Sequence, residues 1–178
     1  MSMADGELPL PPPAPQPSPA ARVRPAARPD VPALVALRVH FLGERARLEG
    51  LPALAPETRA RCEALLPAWL AHEERALLVA VGAAGRVQGY ASGRVASWPP
   101  LVAPTRVGEL AELYVEPEAR GQGLGRALVA AMDAALRARG AEVLRAVVPA
   151  RDALARARLE AAGYEPWQQV LRRPLGGR

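Results

Sequence analysis

The sequence predicts an α/β fold in which helices flank a mixed β-sheet, and three observations support this prediction. An apolar run of strand length, residues 76–81, and a second strand candidate, residues 87–97, are separated by a glycine-containing turn, which is typical of an antiparallel hairpin. A strand pattern over residues 107–115 is followed by a glycine-rich turn and an amphipathic helical pattern over residues 124–139. Another strand candidate, residues 142–148, comes after that helix and is apolar on both faces from Ala146 onward. A strand, a helix and a second strand in this order predict a parallel pair of strands.

The first 20 residues differ in composition from the rest of the chain. They are rich in proline, with alanine, serine and glutamine, a composition that buries little apolar surface and favours polyproline II. We therefore expect residues 1–20 to form a disordered tail, and a proline-rich ligand for an SH3-like partner is the alternative interpretation. Residues 21–178 remain as one folded domain, a length that allows a full hydrophobic core.

The predicted domain opens with a strand and two helices. Residues 21–26 form the strand candidate, and Asp30 is placed to cap the helix that follows. That helix has apolar residues at helical spacing, namely Leu34, Leu37, Phe41 and Leu42. A second amphipathic segment covers about residues 57–73, and Pro67 predicts a kink in it. Further on, the proline-stiffened residues 98–105 are expected to form an exposed loop.

The strand predicted over residues 107–115 carries two carboxylates among apolar side chains. Strict alternation divides this strand into two faces. One face has Glu109, Ala111, Leu113 and Val115, and the other has Leu110, Glu112 and Tyr114. A carboxylate in such a strand is costly unless it meets water, a partner or a substrate. Glu112 and Glu109 are therefore candidates for a general base, and a solvated carboxylate is an equally open interpretation of each.

The helix predicted over residues 124–139 has a clear amphipathic pattern. Its two faces are an apolar stripe of Leu124, Leu128, Ala131, Met132, Ala135 and Leu136, and an opposite face of Arg126, Asp133 and Arg137. Gly140 ends the helix. After the next strand, Asp152 is placed to cap a helix that runs to Ala162, and residues 167–172 form a last strand candidate.

The charge of the chain says little about its partners. The 178 residues have a formal net charge of +5, and all 23 basic residues are arginine. Arginine suits an anionic cofactor or nucleic acid. A GC-rich coding sequence would also produce a chain that is rich in alanine and arginine and free of lysine. Since the sequence has no basic patch interleaved with aromatic residues, we expect no nucleic-acid partner.

Cysteine, histidine and hydropathy patterns predict a cytoplasmic protein without a metal. The single cysteine, Cys62, allows no internal disulfide and has no histidine nearby in sequence, which indicates a structural thiol. His40 and His72 have no partners at metal-binding spacing, so we predict surface or packing roles for both. No apolar segment approaches the ~18 residues of a membrane-spanning helix, and we expect no membrane partner.

The glycine-rich turn after residue 115 is the strongest functional signal. It has the sequence R-G-Q-G-L-G-R over residues 120–126 and connects a strand that ends in V-E-P to the long helix. Glycine allows positive φ and a close approach to a ligand, and amides at the start of a helix have no intrahelical acceptors. With the helix dipole and the cations Arg120 and Arg126, these amides favour a bound diphosphate.

A dinucleotide-binding fingerprint is the main alternative for this turn. That fingerprint has the spacing G-x-G-x-x-G and an acidic residue about 20 positions later. Here the spacing is G-x-G-x-G, and the acid near that distance, Glu142, lies at the start of the next strand instead of its end. The fingerprint therefore fails on both counts. A purely structural turn would need one glycine, not three with flanking arginines.

The turn resembles a motif of the GNAT superfamily of N-acetyltransferases. The acetyl-coenzyme A motif of that family, R/Q-x-x-G-x-G/A after a strand ending in V-x-P, is similar to R-G-Q-G-L-G at residues 120–125 behind V-E-P at residues 115–117. The resemblance implies a mostly antiparallel sheet with a central pair of parallel strands, the fourth and fifth, that splay apart. It also implies a coenzyme A site made of Leu113, Val115, Arg120, Gly121, Gln122, Gly123, Leu124, Gly125, Arg126, Asp152 and Ala155.

A second, weaker similarity covers residues 152–164. The family motif N-x-x-A-x-x-x-Y-x-x-x-G-F ends here in Gly163-Tyr164, but Asp152 replaces the asparagine and Leu159 replaces the tyrosine that commonly protonates the departing thiolate. A thiol pKa near 8.5 means that loss of an unprotonated thiolate at pH 7 costs only about 2 kcal/mol, so the chemistry survives this change. Tyr114, Tyr164 or a water are the open substitutes for the missing acid.

The resemblance implies a reaction and its participants. An acetyl group would pass from acetyl-coenzyme A to a primary amine of a small molecule or peptide, without a metal. The amine would lose its proton to Glu112 or Glu109, directly or through water, and a backbone amide near Val115 and Glu116 would hold the oxyanion. The alternative is a catalytically weak module of the same fold that binds or senses acyl-coenzyme A. A homodimer is left open.

Overall fold

The computed structural model describes residues 22–82, 84–97 and 106–173. Within these ranges the helices and strands are β1 (Arg22–Pro25), α1 (Val31–Glu49), α2 (Thr58–Ala71), β2 (Arg75–Val81), β3 (Val87–Ser97), β4 (Arg106–Val115), α3 (Leu124–Ala138), β5 (Val143–Ala146) and α4 (Ala153–Glu160). The predicted tail, residues 1–20, and the predicted loop, residues 98–105, lie outside the described residues. None of the described helices combines the length and the apolar character that a bilayer span requires.

The strands form one mixed sheet in the order β1-β2-β3-β4-β5. The first four strands pair antiparallel, whereas β4 and β5 run parallel and are connected through α3. This confirms the predicted α/β fold, including the hairpin and the parallel strand–helix–strand unit. The strand predicted over residues 142–148 is shorter in the structure, where β5 spans Val143–Ala146.

The sheet separates two hydrophobic clusters. On one side, which we call the α3 face, α3 packs against the sheet through a stripe that includes Leu128, Met132 and Leu136. On the other side, the α1/α2 face, the two N-terminal helices cover the sheet with Leu34, Val35, Leu37, Cys62 and Leu66, which pack near Tyr90 and Tyr114. Each amphipathic segment therefore covers one face of the sheet, as its sequence pattern predicted. Cys62 is buried, in agreement with a structural thiol.

A β-bulge in β4 corrects the alternation predicted for this strand. Ser92 of β3 pairs with Glu112, but the next residue, Gly93, pairs with Leu110, so Ala111 is an extra residue in β4. The insertion places Leu110 in the cluster of the α3 face, while Glu112 contacts the α1/α2 face. The prediction that Leu110 and Glu112 share a face is therefore wrong. Strict alternation cannot anticipate an inserted residue.

The bulge also moves Glu109 to a different face. A Cβ on Gly108 would contact side chains of α3 and β5, and Leu110 belongs to the cluster of the α3 face. The intervening Glu109 therefore points to the α1/α2 face. It was expected to share a face with Leu113 and Val115, which pack against the α3 side. Both carboxylates of β4 thus lie on the same side of the sheet.

Two further acidic residues differ from their predicted roles. The Asp30 carboxylate makes no hydrogen bond to α1 but accepts hydrogen bonds from Arg24 (2.7 Å) and from the amide of Ala27 (2.8 Å), so it joins β1 to the start of α1. Asp133 was expected on the solvent face of α3, but it is buried and accepts a hydrogen bond from the hydroxyl of Tyr164 (2.6 Å). Each carboxylate is thus bound by a side chain from elsewhere in the chain, Asp30 by Arg24 and Asp133 by Tyr164.

The strand predicted over residues 167–172 is not formed. These residues have no regular secondary structure, and within the described chain no strand pairs with the outer edge of β5. Val170 and Leu171 have exposed fractions of 86% and 91%, so their apolar side chains gain no burial. Trp167 and Val170 supply strand propensity, but they cannot by themselves supply a partner strand.

Candidate active site

The turn between β4 and α3 presents main-chain amides to open space. Gly121 (φ 84°) and Gly123 (φ 80°) adopt the left-handed conformation, which residues with a Cβ rarely adopt. A Cβ on Gly121 or Gly125 would meet no atom within 4 Å. In the described chain, no backbone acceptor engages the amides of residues 121–126. These amides and the positive end of the α3 dipole form a site for an anion.

The C-terminal half of β4 has an open edge. β5 pairs with β4 only as far as Leu110, so residues 111–115 extend beyond the end of β5. The Glu116 amide donates to the carbonyl of Gln88 in β3 (2.9 Å). Because successive residues of a strand point in opposite directions, the amides of Leu113 and Val115 point away from β3, to the open edge. Of the two residues expected to supply an oxyanion amide, Glu116 is therefore occupied and Val115 is not.

Arg120 points away from the turn that it begins. Its guanidinium binds both carboxylate oxygens of Glu44 in α1 (2.9 and 3.0 Å) and donates from Nε to the carbonyl of Val115 (2.9 Å). It also lies 5.6 Å from the centre of the Tyr114 ring. Arg120 was predicted to lie beside a diphosphate, whereas in the structure its guanidinium contacts α1. Arg126, the second predicted cation, is exposed on the first turn of α3.

Asp152 and Ala155 lie at the start of α4. The carboxylate of Asp152 accepts a hydrogen bond from the amide of Ala155 (2.9 Å), which confirms the predicted helix cap. The two residues that the second family motif assigns to the cofactor therefore bind each other.

Glu112 is held by two partners on the α1/α2 face. Arg38 of α1 donates to its carboxylate from Nε (3.1 Å) and from Nη2 (2.9 Å), and Tyr90 of β3 donates its hydroxyl (2.9 Å). The ion pair is largely buried, with exposed side-chain fractions of 12% for Arg38 and 10% for Glu112. Burial, followed by the charge of Glu112, raises the pKa of Tyr90 well above its ordinary value, so this hydroxyl stays a donor.

Glu109 has cationic partners on both neighbouring strands. Arg145 of β5 donates to its carboxylate from Nη2 (2.6 Å) and Nε (3.1 Å), and Arg94 of β3 lies 3.6 Å from it. Both candidate bases are thus ion-paired carboxylates. Neither is the solvated carboxylate at a strand end that was the alternative interpretation.

A cleft of about 610 Å³ lies between α1 and the end of β4. It is lined by His40 and Glu44 of α1, by Tyr114, and by Glu116 and Glu118 of the following segment, among others. The rings of His40 and Tyr114 lie 6.4 Å apart. Burial, followed by the charge of Glu44, raises the pKa of Tyr114, so its hydroxyl keeps its proton at neutral pH. His40, predicted to have a surface or packing role, is exposed and lines the cleft.

Tyr164 and Leu159 lie on the α3 side. The hydroxyl of Tyr164 is bound to Asp133, and burial followed by this hydrogen bond raises its pKa far above the ordinary value. Leu159, at the position where the family motif has tyrosine, is 8% exposed and belongs to the cluster of the α3 face. Of the two tyrosines considered as acids, Tyr114 lines the cleft and Tyr164 is engaged elsewhere.

Several residues of this region were missed by sequence reasoning. Arg38 and Glu44 are partners of predicted site residues, and Trp69 of α2 lies beneath the guanidinium groups of Arg38 and Arg75 (4.4 and 4.3 Å). The polar series His40, Glu44 and Arg47 lies at helical spacing on α1, but such a stripe is also the ordinary solvent face of an amphipathic helix. The sequence therefore carried no specific signal for these partners.

The arrangement has distinct chemical capabilities on its two sides. Main-chain amides can bind an anion at the turn and an extended ligand along the open edge of β4. Carboxylates and a neutral tyrosine on the α1/α2 face can accept and donate protons. Among the described residues, no group of three or more histidine, cysteine or acidic side chains is arranged to hold a metal ion.

Comparisons with known proteins identify a family by sequence and a shared fold by structure. A model described as "Acetyltransferase (GNAT) family" matches residues 44–164. No curated protein gives a significant match to the sequence.

Solved structures show the same fold at low sequence identity. A mutant protein from Bacillus halodurans is 19% identical, with a TM-score of 0.74 over 86% of this chain and 99% of its own. A protein from Clostridium acetobutylicum, described as a "predicted acetyltransferase" with acetyl-CoA, is 19% identical, with a TM-score of 0.70 over 87% and 96% of the two chains. The aminoglycoside N-acetyltransferase AAC(6')-Iy, in complex with a bisubstrate analog, is 15% identical, with a TM-score of 0.70 over 88% and 99%.

Proposed function

The chain belongs to the acetyltransferase (GNAT) family, and we propose that it transfers the acetyl group of acetyl-coenzyme A to a primary amine of a small molecule or peptide. The observation that carries this proposal is the succession of two main-chain surfaces. The open edge of β4 at Leu113 and Val115 is followed by the unengaged amides of residues 121–126. The first surface suits the amide-containing arm of coenzyme A, and the second suits its diphosphate.

The cofactor residues have separate proposed tasks. Leu113 and Val115 would pair through their main chain with the arm, and residues 121–126 would surround the diphosphate with their amides. The open space beside Gly121 and Gly125 fits a group of that size approaching the backbone. Asp152 and Ala155 are assigned by the second family motif and would complete the site from the start of α4.

The proton acceptor is proposed to be Glu112 or Glu109, directly or through water. The thioester supplies an activated carbonyl, and an alkylamine with a pKa of about 10.4 must lose a proton before it attacks. Hydrogen bonds from Arg38 and Tyr90 hold the carboxylate of Glu112 in place on the α1/α2 face. Arg145 holds the carboxylate of Glu109 in the same way.

Tyr114 is the proposed acid. Its side chain lines the cleft on the face that carries Glu112, and its raised pKa keeps the hydroxyl protonated at neutral pH. The departing thiolate would take its proton from this hydroxyl. Tyr164 is not proposed, since its proton is held by Asp133.

An amine panel tests the proposal. The purified full chain is incubated with acetyl-coenzyme A and single amines, including aminoglycosides because a protein of the same fold is named for that class. Release of the coenzyme A thiol measures turnover. Gly123→Trp should abolish turnover and coenzyme A binding, because the indole would occupy the space beside the turn. Unchanged coenzyme A affinity of that variant in calorimetry would contradict the proposed site.

A second candidate is a module that binds or senses acyl-coenzyme A with little turnover. It is favoured by the buried Leu159 at the position of the usual acid and by the occupied hydroxyl of Tyr164. The same panel separates the two candidates. A sensor binds coenzyme A in calorimetry and releases no thiol with any amine, whereas the enzyme does both.

A further inference from the structure

Arg120 connects three parts of the proposed site. Its Nη2 atom binds both carboxylate oxygens of Glu44 (2.9 and 3.0 Å), which fixes the cation to α1. Its Nε atom donates to the carbonyl of Val115 (2.9 Å), at the end of the open edge of β4. The side chain therefore occupies the surface that the cofactor arm needs, although its own Cα adjoins Gly121 of the turn.

We propose that the coenzyme A diphosphate and Glu44 compete for Arg120, and that Glu44, once released, binds a positive charge of the amine acceptor. This inference rests on the proposed function. It assigns to Glu44 a task in acceptor recognition, and it assigns a substrate class, namely amines that carry a second positive charge. The reacting nitrogen is neutral when it attacks, so the charge on Glu44 pairs with another group of the same molecule.

The competition follows from the position of one guanidinium, which lies against α1 and cannot contact Glu44 there and a diphosphate at the turn at the same time. Its Nη2 and Nε atoms are already engaged by Glu44 and by Val115. A diphosphate at residues 121–126 adds at least two negative charges one residue away, in a place where amides and a helix dipole already favour an anion. Arginine forms paired hydrogen bonds to phosphate as well as to carboxylate. The diphosphate is thus the stronger partner, and the contact to Glu44 is the one that it replaces.

The released carboxylate would face the space left for an acceptor. Glu44 lines the cleft of about 610 Å³ and also a neighbouring hollow of about 370 Å³. Glu116, a second carboxylate of the cleft, keeps a partner of its own in Arg86 (2.8 Å). The side chain of Glu44 is 34% exposed, so it is accessible and still partly shielded from water. A cation of the acceptor can therefore replace Arg120 there.

Reciprocal coupling between the two ligands is the measurable consequence. If the diphosphate releases Glu44 for a cation, then a cation bound to Glu44 must strengthen binding of the diphosphate by the same factor. Coenzyme A, which lacks the acetyl group, allows this coupling to be measured without turnover.

Calorimetric titration with coenzyme A tests the competition. Glu44→Gln should tighten coenzyme A binding by about 5-fold, at the lower end of usual coupling. Arg120→Ala should weaken it, and Glu44→Gln should have no further effect in the Arg120→Ala background. Glu49→Gln is the matched control, because Glu49 lies on the same helix, pairs with Arg45 and is outside both hollows.

Three results of this titration would overturn the competition. Glu44→Gln could leave the affinity unchanged or weaken it, which would make Glu44 a structural support of Arg120. The variant could also tighten binding equally with and without Arg120, which would indicate long-range charge alone. If the wild type bound no coenzyme A, the proposed function would fail together with this inference. Equal affinities of wild type and Glu44→Gln would overturn only the inference.

A pair of small probes tests the acceptor half. At constant ionic strength, 1,4-diaminobutane should tighten coenzyme A binding to the wild type, and the uncharged 1,4-butanediol should not. The effect of the diamine should disappear in Glu44→Gln and persist in Glu49→Gln. A diamine effect that survives in Glu44→Gln, or no effect in the wild type, would overturn the assignment of Glu44 to the acceptor.

Discussion

The two faces of the sheet hold their helices in different ways. On the α3 face the contacts are mainly apolar, and Leu128, Met132 and Leu136 have exposed fractions of 0%. On the α1/α2 face, apolar residues are interspersed with the buried ion pair of Arg38 and Glu112. The comparison indicates a division of tasks. The apolar face fixes the helix whose first turn presents backbone amides, and the charged face orders the side chains around the cleft.

The largest effect is expected when one member of the buried ion pair is removed. Arg38→Ala leaves the Glu112 carboxylate mostly buried without its cation, which should lower the free energy of unfolding by about 3–5 kcal/mol. Urea unfolding followed by circular dichroism measures the change. The control is Glu57→Ala, which breaks an exposed pair with Arg61 (exposed fractions 50% and 70%) and should cost at most about 0.5 kcal/mol. Equal losses in both variants would remove the contrast between buried and exposed pairs.

A smaller loss is expected on the apolar face from one added methyl group. In Gly93→Ala the new Cβ would lie 2.6 Å from Met132 Sδ and 2.9 Å from the carbonyl of Glu109. Such overpacking should cost about 1–3 kcal/mol in urea unfolding. Gly125→Ala serves as control, because its Cβ meets no atom within 4 Å. Wild-type stability of Gly93→Ala would show that α3 does not approach β3 this closely.

A third test concerns acid stability on the charged face. The hydrogen bond from Arg24 is the main cause that lowers the pKa of Asp30. A lowered folded-state pKa adds stability above the unfolded pKa of about 3.9, and this stability is lost as the pH falls through the folded pKa. Because Arg24 is 42% exposed, solvent screening limits the contribution to about 1 kcal/mol. Asp30→Asn should therefore lose about this much stability at pH 7.

Unfolding at two pH values checks the sign of this effect. The difference between wild type and Asp30→Asn should shrink as the pH falls from 7 towards 2, because the Asp30 carboxyl gains its proton first in the unfolded and then in the folded state. A difference that stays constant over this range would show that the Asp30 charge is not its source.

The smallest effect on stability separates folding from binding. Gly125→Ala places a better helix former in the first turn of α3 and should raise the free energy of unfolding by about 0.5 kcal/mol. The family motif accepts glycine or alanine at this position, so Gly125→Ala and the wild type should bind coenzyme A with equal affinity in calorimetry. A large loss of affinity in the more stable variant would contradict the assignment of residues 120–125 to that motif.

The α3 face could be predicted from the sequence because its signals are local. The stripe through Leu128 and Met132, the end of the helix at Gly140 and the turn at residues 120–126 all lie within one continuous segment. Each of these features depends on the order of neighbouring residues. Asp133 is the exception, since its partner Tyr164 is 31 positions away in sequence.

The α1/α2 face could not be predicted in the same way, because its contacts join distant segments. Arg38 and Glu112 are separated by 74 positions, and Glu44 and Arg120 by 76. The bulge at Ala111 reversed the expected face of Glu109, since one inserted residue shifts the alternation upstream of it. The strand predicted over residues 167–172 was wrong because no strand of the described sheet pairs with this segment.

The open edge of β4 has a consequence for how such a chain can diversify. Main-chain groups at Leu113 and Val115 are the same whatever side chains those positions carry, so substitutions there would leave the proposed cofactor edge unchanged. Under the proposed function, the side chains with which α1 lines the cleft would instead determine the acceptor. Directed evolution towards a new acceptor should therefore randomise those positions of α1 first.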